Sequence, residues 1–530
     1  MSFGSGAMTN SIGDLSQAEV FFVIGSNTTE AHPIVGLEVK KALRNGAKLI
    51  VADPRETWLA KRADVWLRQK PGSNVALVNA MASIVLEEGM EDSGFIAERT
   101  ENFEEFKAGL EGFSLEEAST ATGVSAELIK SAARLYAGAE RAAIIYAMGV
   151  TQHERGTDNV LALANLAMLT GNVGKPGSGV NPLRGQNNVQ GACDVGCLPD
   201  FLPGYAKVAD ESARRKFRDA WGTEPPASPG LTVVEMTQAA LEGKIKAMFI
   251  MGENPVVSDP DSSHVKEALE ALDFLVVSDL FLTDTAALAD VVLPAASFAE
   301  KDGTFTNTER RVQRVRRGGR PPGEAKPDSE IIALLSKAMG FDFDSDPERL
   351  FGELASLASQ YSGISYGKLE GGGVQWPCPS PEHPGTPVLH VGAFSRGKGK
   401  FHAVRPLPLS EALDEEFPLL LTTGRILHQY HTASMSGRTE LNELAPEVFV
   451  EINPSDADAL GLKDGNLARV ASRRGEVAAR VRATDRVPAG TVFMPFHYPE
   501  SPANALTGGA LDPSSKIPPL KTTPVRVSKL

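Results

Sequence analysis

Two segments of this 530-residue chain repeat one another, and the repeat constrains the fold more than any other feature. The first reads AEVFFVIGSNTTEAHP and continues to AKLIVADPRETWLAKRADVWL. The second reads IKAMFIMGENPVVSDP and continues to LDFLVVSDLFLTDTAALADVVLP. Each opens with an apolar run that stops at a glycine and two polar residues, Gly25-Ser26-Asn27 and Gly252-Glu253-Asn254. A helical stretch follows, then a second apolar run ending in Asp53 or Asp279, which lie 28 and 27 positions after the glycine. An Ala-Asp-Val comes next in both, with its aspartate, Asp64 or Asp290, 11 positions further on. Strand, helix and strand at this spacing make a βαβ unit. Strands in such sheets are covered on both faces and are apolar throughout, as VFFVIG, KLIVAD, AAIIYAMG, KAMFIMG and FLVVSD are. The expected fold is therefore α/β, with two Rossmann-like domains related by a pseudo-two-fold. Ligands of open α/β sheets bind beyond the C-terminal ends of the strands, where the polar tips GSN, ADPRE, GEN and SDLF fall.

The remaining chain divides by texture. From about residue 406, short β-branched runs broken by Gly, Pro, Asp and Asn predict a small C-terminal β-barrel. The expected domains are 1–185 and 186–330 for the two α/β copies (the second partial), 331–405 as a connection, and 406–530 for the barrel. A chain this long needs several cores. A net charge of −14 argues against nucleic acid or an anionic membrane as partner. No apolar run approaches a membrane span, so no direct membrane insertion is expected. Three cysteines give no disulfide framework, and a cytoplasmic location is the default. The Cys193-x3-Cys197 pair is not read as a metal site, and no metal ligand is assigned. The basic run from Arg310 to Arg320 reads as a solvated loop or a contact to an acidic cofactor.

Chemistry concentrates in Gly179-Val180-Asn181-Pro182-Leu183-Arg184-Gly185-Gln186-Asn187-Asn188-Val189-Gln190-Gly191-Ala192-Cys193-Asp194. The loop crowds amide side chains, which both donate and accept, around one arginine. The guanidinium offers a planar fork that matches a carboxylate. By composition alone, a polar loop satisfying its own backbone is an equal reading.

NPLRGQNNVQGACD resembles the catalytic subunits of formate dehydrogenases, within the molybdopterin oxidoreductases related to dimethyl sulfoxide reductase. GSGAMTNSIGD, TGNVGKPGSGVNP, ADVVLPAASFAEKDGTFTNTERRVQ and LTTGR match the same superfamily, in order along nearly the whole chain. The resemblance implies two molybdopterin guanine dinucleotides, one per α/β copy, holding Mo or W. It implies oxidation of formate to CO2, or the reverse, with a hydride equivalent passing to a metal–sulfido unit. Arg184 takes the catalytic role of orienting formate. Iron–sulfur or flavin subunits would carry the electrons. Related nitrate reductases carry Thr where this chain has Arg184. That residue with an intact GQNN argues against the alternatives, another oxyanion reductase acting on a substrate such as nitrate or a non-catalytic complex subunit.

With the family in view, cofactor contacts are expected from Gly25, Ser26, Asn27, Asp53, Arg55, Gly72, Ser73 and Asn74 in the first copy, and from Gly252, Glu253, Asn254 and Asp279 in the second. The two strand-end aspartates suit ribose or guanine N–H groups, Arg55 a phosphate, and the turns a pyrophosphate. Gln186 is expected at pterin, and Gly149, at the end of AAIIYAMG, on the substrate side. Thr423, Gly424, Arg425, Gln429 and His431 correspond to a pterin-wrapping loop, with Asn504 and Lys521 in the last cofactor-contacting stretch. In the family, a [4Fe-4S] module and a Sec- or Cys-His pair precede the segment matching GSGAMTN, and neither is in this sequence. The expectation is a selenocysteine codon read as a stop, with a gene fragment or a split subunit as alternatives and an isolated chain that is inactive.

Overall fold

The computed structural model describes residues 1–530. They form two compact units. One holds residues 1–185, 257–262 and 388–530, and the other 186–256 and 263–387.

The first unit is built on strands β1 (Val20–Ile24), β2 (Lys48–Ala52), β3 (Val65–Leu67), β4 (Ala142–Tyr146) and β5 (Gly179–Pro182), in the parallel order β3-β2-β1-β4-β5. Its central strands are buried from end to end, as a sheet covered on both faces requires. Phe21, Val23, Leu49 and Val51 face one way, against Val35, Val39 and Ala42 of helix α2 (Pro33–Arg44). Phe22, Ile24, Ile50 and Ile144 face the other, against helices α3 (Asn74–Glu87) and α4 (Ala126–Ala137). A short helix, α1 (Thr28–Ala31), leads from the β1 turn into α2.

The second copy of the repeat reproduces this pattern with strands β6 (Ala247–Met251), β7 (Phe274–Asp279) and β8 (Val291–Pro294) in the order β8-β7-β6. The correspondence extends to single hydrogen bonds. Gly25 N donates to Ala52 O at 3.0 Å and Gly252 N to Ser278 O at 2.8 Å. Asp64 accepts from Leu49 N at 2.9 Å, and Asp290 from Leu275 N at 2.7 Å. The repeated aspartates are therefore strand clamps: each carboxylate closes the backbone at the start of the neighbouring strand. One expectation fails here. Leu275 and Val277 pack on Val265 and Leu269 of the helix Ser262–Glu270, but Phe249 and Phe274 remain 45% and 46% exposed. The second sheet has three strands and a helix on one face only, so its apolar run does not signify two covered faces.

The stretch after residue 302 contains more order than its composition suggests. Strands β9 (Gly303–Thr306) and β10 (Arg311–Val315) form an antiparallel hairpin, joined by β11 (Val374–Gln375). The basic run is accordingly not a loop at its start. Arg310 is wholly buried and donates to the carbonyls of Trp376, Thr386 (2.8 Å) and Pro387 (3.2 Å), and burial lowers its pKa to about 10. Desolvating a guanidinium is tolerable here because backbone acceptors replace water.

The C-terminal region closes into a six-stranded barrel, as expected. Its strands are β12 (Leu419–Gly424), β13 (Phe449–Ile452), β14 (Leu467–Ala471), β15 (Glu476–Ala483), β16 (Thr491–Pro495) and β17 (Thr523–Lys529), in the order β12-β16-β13-β15-β14-β17. No helix is long and apolar enough to cross a membrane.

Candidate functional site

The loop bearing Arg184 leaves the C-terminal end of β5, beside the ends of β4 and β1. Leu183 N donates to Tyr146 O at 2.9 Å, which seats the loop on the sheet. The Arg184 carbonyl accepts from His32 Nε2 at 2.7 Å, and the Gly185 carbonyl from Arg425 Nη1 at 3.3 Å. Arg184 Nη2 donates to Gly6 O at 3.1 Å, and the side chain keeps part of its surface accessible. Gly6 and Tyr146 line an adjoining cavity of about 220 Å³, walled also by Thr151, Thr157, Pro182 and Ile517.

Glycine is required where β1 ends. Gly25 has φ +56°, and a Cβ there would fall 2.6 Å from the carbonyl carbon of Gly149. Gly149 N donates to Gly25 O at 3.0 Å. Gly149 is not at a strand end, as read from AAIIYAMG. β4 stops at Tyr146, and Gly149 lies in a short helix, α5 (Met148–Thr151), pressed onto Gly25. Close backbone approach of this kind admits only a residue without Cβ.

Asp53, just past β2, is half-buried, and burial raises its pKa to about 6 against the pull of the Arg55 N–H at 2.9 Å and the charges of Arg55 and Lys521. Burial lowers Lys521 to about 7, and Asp53 opposes that shift. Lys521 Nζ donates to Thr423 O at 2.8 Å. These opposite groups face each other without a direct salt bridge, which leaves both suited to a polar ligand. Arg55 is differently placed. Its Nε and Nη2 hold Glu451 at 2.6 and 2.8 Å in a buried pair, so a phosphate would have to compete with that carboxylate.

Other expected positions vary in availability. Gln429 is buried and spends its amide on Asn442, Ala445 and Ser436. Ser73 opens α3 without capping it and donates instead to Lys70 O at 2.7 Å, next to Gly72 at φ +88°. Asn74 is buried and accepts from Gln69. Ser26 is buried against Thr28. Gly424 ends β12. In the second unit Gly252 has φ +64° and Glu253 is exposed, while Asn254 is engaged by Thr285 and Asp284. Asp279 ends β7 with its carboxylate on Leu280 N at 2.6 Å, and Gln186 is exposed.

Several histidines escaped the sequence reading. Buried His153 meets Gly149 O at 2.8 Å, and His497 donates through Nδ1 to His431 O while its Nε2 accepts from Ile426 N at 3.1 Å. Burial lowers His153, His431 and His497 to about 4, so all three are neutral. The visible signal for His32 is the following Pro33, which marks a helix start. The others carry none.

Whether these residues fit a polar cofactor can be judged from buried atoms that lack partners. Asn27 Nδ2, His32 Nδ1, Arg425 Nε and Asn504 Oδ1 are such atoms. An unsatisfied buried donor or acceptor costs about 1–3 kcal/mol, so a polar ligand that met these four atoms would gain from each. Their mixture of donors and acceptors suits a pterin, and the fit holds.

Comparison with known proteins agrees. Residues 2–338 match the molybdopterin oxidoreductase family, and residues 419–524 the molydopterin dinucleotide binding domain. The F420-dependent formate dehydrogenase subunit alpha of Methanocaldococcus jannaschii is 50% identical over 100% of this chain and 79% of its own length. Formate dehydrogenase H of Escherichia coli is 41% identical over 100% of this chain and 75% of its own. Among solved structures, acetylene hydratase from Pelobacter acetylenicus superposes with a TM-score of 0.78 at 21% identity, covering 100% of this chain and 80% of that one, which shows a shared fold. The chain belongs to the molybdopterin oxidoreductase family, alongside the formate dehydrogenase alpha subunits.

Proposed function

We propose that this chain binds molybdopterin as two guanine dinucleotides carrying Mo or W and oxidises formate to CO2, or runs the reverse. The observation that carries the reading is Arg184. Its carbonyl is held by His32 and that of the next residue, Gly185, by Arg425, while the Arg184 side chain stays partly accessible beside a cavity. The group would be held by the β1 turn (Gly25 to Asn27), Asp53, Lys521, Thr423 and Arg425 in the first unit. Gly252, Asp279 and Gln186 would serve in the second. Asp53 and Asp279 suit guanine or ribose donors. When bound, the metal–pterin group supplies the two-electron acceptor.

The work of the chain's own residues follows from charge. Formate is a planar anion, and a guanidinium fork binds it through two parallel hydrogen bonds that leave the C–H free. Fixing the carboxylate orients the hydrogen to be lost and holds the anion through the transition state. Neutral His431 beside Arg425 adds no competing positive charge. Oxidation of HCOO⁻ releases CO2, a proton and two electrons, and we assign the electrons to an iron–sulfur or flavin partner subunit. Residues 1–185 and 186–330 would each take one dinucleotide, and the barrel region 406–530 would add dinucleotide contacts within the first unit.

The test is formate-dependent dye reduction by the assembled, cofactor-loaded enzyme. Arg184→Ala should lower kcat/KM by roughly 100-fold or more, in line with loss of a charge-assisted bidentate contact. Undiminished formate turnover in that variant, or turnover of nitrate in place of formate, removes the reading.

A further inference from the structure

We propose that His32 is a positioning residue that holds the Arg184 peptide and links it to the polar turn after β1. This rests on the assignment of Arg184 as the formate-binding side chain. His32 is the single residue between α1 and α2. Its backbone N donates to Thr28 O at 3.0 Å and its carbonyl accepts from Gly36 N at 2.9 Å, with Pro33 opening α2. The imidazole therefore leaves from a backbone fixed on both sides. Its Nε2 lies 2.7 Å from the Arg184 carbonyl. A carbonyl only accepts, so Nε2 carries the hydrogen and Nδ1 is a bare acceptor. Burial lowers the ring's pKa, and the nearby Arg425 adds to that, which keeps this tautomer neutral. Nδ1 is buried and has no partner.

Three consecutive residues of the loop are thus held from three places. Leu183 is bonded to the end of β4, Arg184 to the α1–α2 junction, and Gly185 to Arg425 of the segment after β12. Of these, only His32 grips the peptide of Arg184 itself. It also lies in the segment that begins with Gly25-Ser26-Asn27. Asn27, five residues earlier, opens α1 and carries its own buried, unpartnered amide nitrogen. A ligand that fixes the turn by taking Asn27 Nδ2 fixes α1, and with it the direction of His32. Cofactor binding and the placement of Arg184 are then joined through one imidazole.

Two measurements test this. In the first, amide hydrogen exchange is followed by mass spectrometry on the chain without cofactor. His32→Leu should speed exchange of peptides spanning residues 183–187 tenfold or more and leave those of β1 and α2 unchanged. His32→Gln, whose Nε2 amide can donate to the same carbonyl, should restore wild-type exchange. In the second, the assembled enzyme loaded with cofactor is assayed with formate. His32→Leu should lower kcat/KM tenfold or more, chiefly through KM, at unchanged pterin content measured by fluorescence after oxidation. His32→Gln should stay within threefold of wild type. Wild-type exchange in His32→Leu overturns the proposal, as does equal loss in the Leu and Gln variants. If the exchange results appear as expected but the wild-type enzyme does not turn over formate, the positioning stands and the assignment of formate falls.

Discussion

Replacing Glu451 by alanine should be the most damaging single change in the first unit, and the structure gives the size. Glu451 lies on β13 of the barrel and Arg55 in the loop after β2. Their side chains are 2% and 6% exposed, with Arg55 Nε and Nη2 at 2.6 and 2.8 Å from the two carboxylate oxygens. Arg486 Nη1 adds a contact at 3.2 Å, and the Arg55 guanidinium lies 4.0 Å from the centre of the Phe493 ring. At a contact distance near 4 Å and an effective dielectric constant of about 20, the attraction is roughly 4 kcal/mol. That gross gain is largely offset by desolvating both ions, so the pair contributes little net stability over an apolar pair. Removing one partner is another matter. Glu451→Ala takes the hydrogen-bonded carboxylate from a buried guanidinium, leaving only the weaker pull of Glu30 and Asp53, and should cost about 3–5 kcal/mol. The double variant Arg55→Met with Glu451→Leu should lose less than the single one, because the one charge left without this carboxylate, Arg486, reaches solvent. Urea unfolding, followed by hydrogen exchange of peptides over β3 and β13, measures both. A loss below about 1 kcal/mol in Glu451→Ala, or a double variant as unstable as the single one, would refute the reasoning.

Four further outcomes follow from the same geometry. Asp194 is wholly buried and accepts from Tyr361 Oη (2.5 Å), Trp376 Nε1 (2.7 Å), Tyr205 Oη (2.8 Å) and Gln190 Nε2 (2.9 Å). Asp194→Leu should therefore cost the second unit about 4 kcal/mol or more in urea unfolding, with Asp194→Asn intermediate. Gly149→Ala places a methyl 2.6 Å from Gly25 O and should lower stability by about 1–3 kcal/mol in thermal unfolding. Asp64→Ala and Asp290→Ala remove equivalent clamps and should cost about 1–2 kcal/mol each, read by exchange of the Leu49 and Leu275 amides. Asp53 has its folded pKa raised to about 6 by burial, so its contribution is fully present below about pH 4 and lost as pH rises through 6. Asp53→Asn should flatten that slope and stabilise the chain at pH 8 by up to about 3 kcal/mol, less whatever solvent contact the half-buried carboxylate keeps.

What the sequence disclosed was whatever repeats or whatever has a fixed spacing. The two βαβ units and the barrel follow from apolar runs and turn residues, and the Arg184 loop from its density of amides, whereas the strand order does not show in the sequence. Long-range pairings left no local trace. Nothing around Arg55 indicates a partner 396 positions away in Glu451, and nothing in a basic run distinguishes the buried Arg310 from its exposed neighbours. The position of Gly149 was missed because AAIIYAMG is apolar to its end, and periodicity cannot tell a strand end from one turn of helix. His153 and His497 left no trace, and His32 none beyond the Pro33 that follows it, for a related reason. His32 and His497 act on backbone groups brought to them by tertiary packing, His153 acts on the carbonyl of Gly149 four residues earlier, and a single histidine carries no period.

The repeat also separates scaffold from site in a way that neither copy shows alone. Gly25 and Gly252 make the same backbone bond, and Asp64 and Asp290 the same clamp, so these positions serve the fold in both units. Asn27 and Asn254 occupy the same place in the repeat but differ in their bonds. Asn254 Oδ1 accepts from the Thr285 hydroxyl at 2.8 Å and from its amide at 3.1 Å, and Nδ2 donates to Asp284 at 3.2 Å. Asn27 Oδ1 takes one long bond from Thr29 at 3.3 Å, and its buried Nδ2 has no partner. One fold position thus holds a satisfied structural amide in one unit and an unsatisfied one in the other. Burying a donor without an acceptor is unfavourable, and the first unit has no structural reason to bear that cost which the second unit lacks. The difference leaves Asn27 with a buried donor to spare and Asn254 satisfied within its own loop.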